Sequence, residues 1–374
     1  MRQSVLLRSL LPWCVLLIAA APAPPPAEDG YDLWLRYRLV ADAERLSEYR
    51  AALSHLVVEG DSPTLRATRD ELMVGLRGLL GSEIRHADRI REDGAVIAGT
   101  PATSRLVAAL PLSDELRRAG AEGFVLRALP VGGRRAIVIA ANREVGVLYG
   151  AFALLRLLQT DRSLQALAVV SAPKIGLRLL DHWDNLDRSV ERGYAGLSLW
   201  NWSRLPDSLD PRYRDYARAN ASVGINGTVL TNVNANATVL SPSYLAKVAA
   251  LAGVFRPYGI RVYLTARFSA PIELGGLPTA DPLDPTVRAW WRHKADEIYG
   301  LVPDFGGFLV KANSEGQPGP QDYGRTHADG ANVLADALAP HGGNVVWRAF
   351  IYDEDVDPDR AKRAYIEFTR LYPA

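Results

Sequence analysis

From residue 173 onward the chain repeats one unit: a short apolar run, a polar stretch, then an amphipathic helix. The apolar runs begin at Gly176, Gly227, Arg261, Gly307 and Asn344. Helical patterns lie between and after them at 211–222, 242–258, 285–299 and 328–338. Three of these open on proline (Pro211, Pro242, Pro285), which suits a first helical turn because its missing N–H has no partner there anyway. Strand followed by helix, repeated, gives a parallel sheet, and with this many units a (β/α)8 barrel is the leading architecture. A whole barrel takes about 250 residues. Only about 200 follow residue 173, with five strands among them. The expectation is therefore an α/β fold ending in an incomplete (β/α)8 TIM barrel, about five strands present, in a chain cut short at its C-terminus.

Several of these strands end in polar residues: Asp181 to Asn185, Thr231 to Asn234, Arg267, Lys311 to Glu315, and Arg348 to Asp353. Barrel chemistry sits at the carboxyl ends of the strands, so these residues outline an active-site rim. The richest stretch is Asp304 to Tyr323, where Phe308, Leu309 and Val310 lead into Lys311, Asn313, Ser314 and Glu315 before a Gly/Pro loop. Most glutamates are solvated surface carboxylates. One that follows a buried strand, beside a cation and an amide, has its proton affinity pulled in opposite directions by desolvation and charge, and Glu315 is the candidate acid–base residue. Lys311 ends an apolar strand, where an ammonium needs an anionic partner: Glu315, or a ligand's own carboxylate. Arg348 takes the same position one strand later. Either it makes a structural ion pair, or two neighbouring cations mark an acidic substrate, since a guanidinium matches a carboxylate bidentately. Trp183 is a core residue or a platform for the apolar face of a sugar ring.

The first part of the chain reads differently. Residues 1–23 have the basic start, apolar core and A-x-A sites of a secretory signal peptide, and predict a bacterial periplasmic or secreted protein. The single cysteine, Cys14, falls inside that segment, so the mature chain would form no disulfide. Residues 24–30 form a Pro/Ala linker. Residues 31–170 read as a mixed α/β accessory domain, with helices at 41–56, 64–80 and 145–158 and strands at 95–98, 123–128 and 134–141. Residues 171–374 would then be the N-terminal part of the catalytic barrel. The domain at 31–170 carries no P-loop and no G-x-G-x-x-G. The net charge of +1 gives no reason to expect nucleic acid or, once the signal is removed, a membrane as partner. The six histidines are scattered without H-x-H or H-E-x-x-H, and Pro358 stands where the EF-hand-like run 353–359 would need glycine, so neither metal nor cofactor is expected.

Four stretches carry a family resemblance: LDHWDNLDRSVERGYAGLSLW (180–200), GGLPTADPLDPTVRAWW (275–291), DFGGFLVKANSEGQPGP (304–320) and VVWRAFIYD (345–353). Together they closely resemble the α-glucuronidases of glycoside hydrolase family 67. The resemblance implies inverting removal of glucuronic acid, or its 4-O-methyl ether, linked α-1,2 to the terminal xylose of xylo-oligosaccharides. It makes Glu315 the general acid and Lys311 and Arg348 the residues that bind the uronate carboxylate. It makes Trp183 a wall of the sugar pocket and sets Val233 beside the methoxy group. Inversion needs a second carboxylate about 6.5–9.5 Å from the acid. The family's candidates for it lie past residue 374, as does the helical domain that often forms its dimer, so a homodimer is expected only of a full-length enzyme. Asp353 and Glu354 match nothing catalytic in the family. The alternative is a non-catalytic relic of the same fold that binds acidic carbohydrate. A metal-dependent barrel hydrolase is disfavoured by the missing histidine motifs.

Overall fold

The computed structural model describes residues 29–313 and 317–349 of the chain. The expected signal peptide, Glu315 and the run 353–359 lie outside the described residues. Residues 29–34 hold a short turn, and every strand and helix named below belongs to the unit that begins at Leu35.

The first sheet has six strands in the order β2-β1-β3-β5-β4-β6. They are β1 (His55–Val58), β2 (Arg85–His86), β3 (Ala95–Gly99), β4 (Phe124–Val131), β5 (Arg134–Ala140) and β6 (Ala168–Ser171). The pairs β1–β2, β1–β3 and β3–β5 are parallel, whereas β4 runs antiparallel to both β5 and β6. Alternate residues feed two separate cores. Leu56, Val96, Leu126 and Ile139 face α1 (Ala43–Ala52), α2 (Pro63–Leu80) and α5 (Glu144–Gln159). Val57, Ile97, Val125 and Val138 face α3 (Arg105–Ala108) and α4 (Ser113–Ala119). The period of two along each strand thus builds a three-layer sandwich. The helix expected at 41–56 is shorter than its pattern: it stops at Ala52, and HLVV becomes β1, the β-branched valines completing a buried parallel strand.

The second sheet holds five parallel strands in the order β11-β10-β9-β8-β7. These are β7 (Leu179–Asp181), β8 (Gly227–Val229), β9 (Arg261–Arg267), β10 (Gly307–Lys311) and β11 (Asn344–Arg348). Between them run α6 (Pro211–Ser222), α7 (Pro242–Phe255), α8 (Ala270–Glu273), α9 (Pro285–Leu301) and α10 (His327–Leu338). Asp210 and Asp284 cap the prolines' helices by accepting from backbone N–H groups two or three residues on, which fixes where α6 and α9 start. On the outer face Val262, Leu264, Phe308 and Val310 join the helices in one large core. On the inner face Leu179, Val229, Tyr263, Leu309 and Val346 form a smaller cluster with Trp183 and Val233.

This sheet is curled. Flat, its two edges would lie about 19 Å apart, four spacings of about 4.8 Å. Trp183 follows edge strand β7 and Arg348 ends the opposite edge strand β11, yet the guanidinium carbon is 5.9 Å from the indole ring. The sheet bends around its inner face until side chains from its two margins meet, as in an arc of a barrel.

The two sheets share α5. Its Val147, Leu154 and Leu155 pack into the first core, and its Leu148, Tyr149 and Phe152 into the second. Buried Glu71 on α2 also accepts two bonds from Arg218 on α6, at 2.7 and 2.9 Å, and one from Tyr37 at 2.6 Å.

Candidate active site

The carboxyl ends of three adjacent strands place three cations side by side. Lys311 on β10 is in register with Arg267 on β9 and with Arg348 on β11. In-register residues of parallel strands point to the same face, and Leu309 and Val346, two residues earlier, belong to the inner cluster. The inner face therefore changes from apolar to cationic within two residues. Lys311 is 9% exposed.

The loop after β8 supplies the contacts between these cations. The Lys311 ammonium donates to Asn234 Oδ1 at 2.8 Å. Arg267 donates through Nη2 to the Asn234 carbonyl at 3.1 Å and through Nη1 to Glu273 Oε2 at 3.0 Å. Asn232 pins the other side of the loop: its backbone N–H donates to the Asp184 carbonyl at 2.8 Å, and its own Oδ1 accepts from the Asn234 N–H at 3.0 Å. Val233 lies between the two asparagines, buried against the cluster that includes Trp183.

Trp183 is fixed from behind by polar residues. Its carbonyl accepts from the Glu191 N–H at 2.8 Å. The preceding His182 lies 2.7 Å from the Tyr216 hydroxyl, which is 2.8 Å from Thr228 Oγ1 on β8. Buried Asp184 accepts from Ser198 Oγ at 2.5 Å. Asp181, the last residue of β7, faces the same concavity. The protein around it thins its hydration and pushes its carboxyl up, while His182, the Trp183 side chain and Arg348 pull it down.

Beyond Lys311 the chain turns sharply. Asn313 is buried with φ of 44°, in the left-handed region. Its Nδ2 donates to Asp322 Oδ2 at 2.9 Å, and the same oxygen accepts from the Gly319 N–H at 2.8 Å. A Cβ on Gly319 would fall 2.5 Å from the Asn313 nitrogen, so only glycine allows the two ends of the loop to approach this closely. Gln317 is tied to Ser269 at 3.2 Å, and Arg325 to Asp281 by two bonds at 2.9 and 2.8 Å. Asn313 and Gly319, on either side of Glu315, thus pack together close to Lys311, while Glu315 itself is outside the described residues.

The structure brings Trp183, Val233, Lys311 and Arg348 around one concavity. In the sequence Asn234 and Arg267 stand out only as members of the polar strand-end rim, and Asp322 and Glu273 do not stand out at all. A signal for Asn234 was present in the polar run Thr231 to Asn234 that follows the apolar residues of β8.

The glycosyl hydrolase family 67 N-terminus model matches residues 33–154, and the glycosyl hydrolase family 67 middle domain model matches residues 157–373. The chain belongs to glycosyl hydrolase family 67. It is 41% identical over 340 residues to the probable alpha-glucuronidase A of Neosartorya fischeri, a match covering 89% of this chain and 39% of that protein. To the alpha-glucuronidase of Hypocrea jecorina it is 40% identical over 390 residues, covering 98% of this chain and 44% of that one. The family 67 chain therefore spans about two fifths of the length of the curated relatives it matches. Among solved structures, CpGH84D superposes with a TM-score of 0.54 at 12% identity, over 86% of this chain and 50% of that one, a likeness of fold. Among the described residues no helix is long and apolar enough to cross a membrane.

Proposed function

We propose that this chain carries the sugar-binding and proton-donating half of an α-glucuronidase centre. The observation that carries the reading is the rank of Lys311 and Arg348 at the lip of an apolar concavity walled by Trp183 and Val233. Two cations at one end of a pocket suit a carboxylate, and an indole with aliphatic neighbours suits the C–H face of a pyranose. Membership of family 67, with relatives named alpha-glucuronidase, supports the same assignment. The substrate is a xylo-oligosaccharide bearing α-1,2-linked glucuronic acid or its 4-O-methyl ether, with Val233 beside the methoxy group.

In this reading Lys311 and Arg348 hold the uronate carboxylate while Trp183 and Val233 exclude water from the ring's apolar face. Glu315 gives its proton to the glycosidic oxygen as the C–O bond breaks, and xylose leaves as the alcohol. A water attacks the anomeric carbon from the opposite face and inverts it, losing its proton to a second carboxylate about 6.5–9.5 Å from the acid. No residue of this chain is assigned that second role. Residues 31–170 act as an accessory domain and 171–374 as part of the catalytic barrel, with residues 1–23 directing export.

Proton NMR of the released sugar tests the chemistry in the protein containing this chain. The expected first product is β-glucuronic acid, and Glu315→Gln should lower turnover by about 10²-fold or more while leaving binding intact. Release of the α anomer, or full activity in Glu315→Gln, would overturn the mechanism. Binding without turnover in the unaltered protein would favour the non-catalytic alternative.

A further inference from the structure

The rim cation Arg267 already faces a carboxylate of this chain. Neighbouring strands lie about 4.8 Å apart, so Arg267 and Lys311, level on β9 and β10, repel each other. Glu273, the last residue of α8, answers that charge: Arg267 Nη1 donates to its Oε2 at 3.0 Å, and both side chains are partly buried. The other oxygen of the carboxylate accepts from Ser269 Oγ at 2.5 Å, which fixes the carboxylate in its turn. The second arm of the guanidinium points elsewhere. Nη2 donates to the Asn234 carbonyl at 3.1 Å, in the loop after β8.

That second arm reaches the site through Asn234. The backbone of Asn234 is held from two sides, its carbonyl by Arg267 and its N–H by Asn232 Oδ1 at 3.0 Å. With the backbone held, Asn234 Oδ1 stands where the Lys311 ammonium donates to it at 2.8 Å. The planar fork of an arginine lets one side chain span α8 and the loop after β8. A lysine ammonium, a point donor on a flexible stem, lacks that fork.

We propose that Arg267 is a positioning residue for Lys311: it braces Asn234 against Glu273, and Asn234 orients the ammonium, while Arg267 itself does not touch the ligand's carboxylate. The inference rests on the uronate-binding reading above and deepens it, dividing the three level cations into one brace, Arg267, and two binders, Lys311 and Arg348. The two roles differ in their thermodynamics. A cation that touches the ligand contributes whether or not Lys311 is present. One that acts through Lys311 contributes only while Lys311 is there to be positioned.

The test is a double-mutant cycle on the full chain, read by isothermal calorimetry with D-glucuronate and D-glucose and by thermal melting. Arg267→Met should lower the preference for glucuronate about three- to tenfold. Arg267→Lys, which keeps the charge but not the fork, should lower it as much. In Lys311→Ala, adding Arg267→Met should change the preference by less than about twofold. A full further loss in the Lys311→Ala background would overturn the proposal, as would a wild-type preference in a folded Arg267→Met or Arg267→Lys. Should Arg267→Met not fold, Arg267→Lys carries the same cycle. Glu273→Gln separates the roles by sign, because it leaves the charge of Arg267 less compensated. Equal or lower glucuronate affinity is expected, and a gain would mark Arg267 as a ligand cation and overturn the proposal. If wild type binds acetate, followed by NMR titration, but does not prefer glucuronate to glucose, the uronate reading alone fails. The same cycle read on acetate then supports or overturns the role of Arg267 by the same outcomes. If wild type binds no carboxylate at all, both fail.

Discussion

The two sheets of this molecule are built from similar strands and end differently. In the six-stranded sheet, β3 and the last five residues of β5 are buried throughout, and the polar residue that follows β5 serves the backbone: Asn142 donates to the carbonyls of Leu116 and Gly120 at 2.7 and 2.8 Å. In the five-stranded sheet, β9, β10 and β11 end in register on Arg267, Lys311 and Arg348, and the asparagine after β8 serves side chains. The first sheet is covered on both faces. In the second, helices pack the outer face, whereas the inner face carries a thin apolar layer and then charge. A curled face with a cationic margin can present charge to a ligand at the strand ends. The difference lies in which face the chain covers and in the cations that end the second sheet's strands.

That contrast can be broken by experiment. Leu126→Ala, in the core between β4 and α5, should cost about 2–5 kcal/mol of stability and leave the glucuronate preference of the folded molecules unchanged, as read by denaturant melts and calorimetry. A changed preference would mean that the two halves are coupled more tightly than the shared helix α5 suggests. Trp183→Ala should act the other way, weakening sugar binding by about 0.5–1.5 kcal/mol with a smaller change in melting temperature. The smallest effect concerns the pair that joins the segment before α10 to the segment before α9. Hydrogen bonding from Arg325 holds the Asp281 carboxyl below the usual range. A carboxyl lowered in the folded state stabilises it above the unfolded pKa, and that contribution is lost as pH falls through the folded value. Melting temperatures of wild type and Arg325→Ala should therefore differ at neutral pH and converge between about pH 5 and pH 2. The gap should be small because the pair is partly solvated.

Much of this was legible in the sequence, for stated reasons. Strands β9 and β10 stand out because continuous apolar runs are followed by proline-started or capped helices, and a parallel strand buried on both faces has that signature. Strand β1 was hidden because HLVV continues the apolar pattern of α1, and β2 and β6 are too short to show a period of two. Register was not legible. Beyond the matching positions of Lys311 and Arg348 at neighbouring strand ends, nothing local to Lys311 shows that it lies level with Arg267, or that its amide partner comes from 77 residues earlier. The curl was legible only through the barrel that repeated strand–helix units imply, because it depends on sheet twist rather than on any one residue. Glu315, Lys311, Arg348 and Trp183 were found through their chemistry at strand ends and Val233 through the family resemblance, whereas the amide that joins the cations needed the geometry.

The central claim is that the concavity lined by Trp183 and Val233 and rimmed by Lys311 and Arg348 recognises the carboxylate of a uronic acid. Calorimetric titration of D-glucuronate and D-glucose into the chain and into Lys311→Ala tests it most directly. The account predicts that wild type prefers glucuronate and that Lys311→Ala loses about 2 kcal/mol of that preference, roughly 30-fold, while glucose binding holds. Equal affinity for the two sugars in wild type, or an unchanged preference in a folded Lys311→Ala, would contradict it.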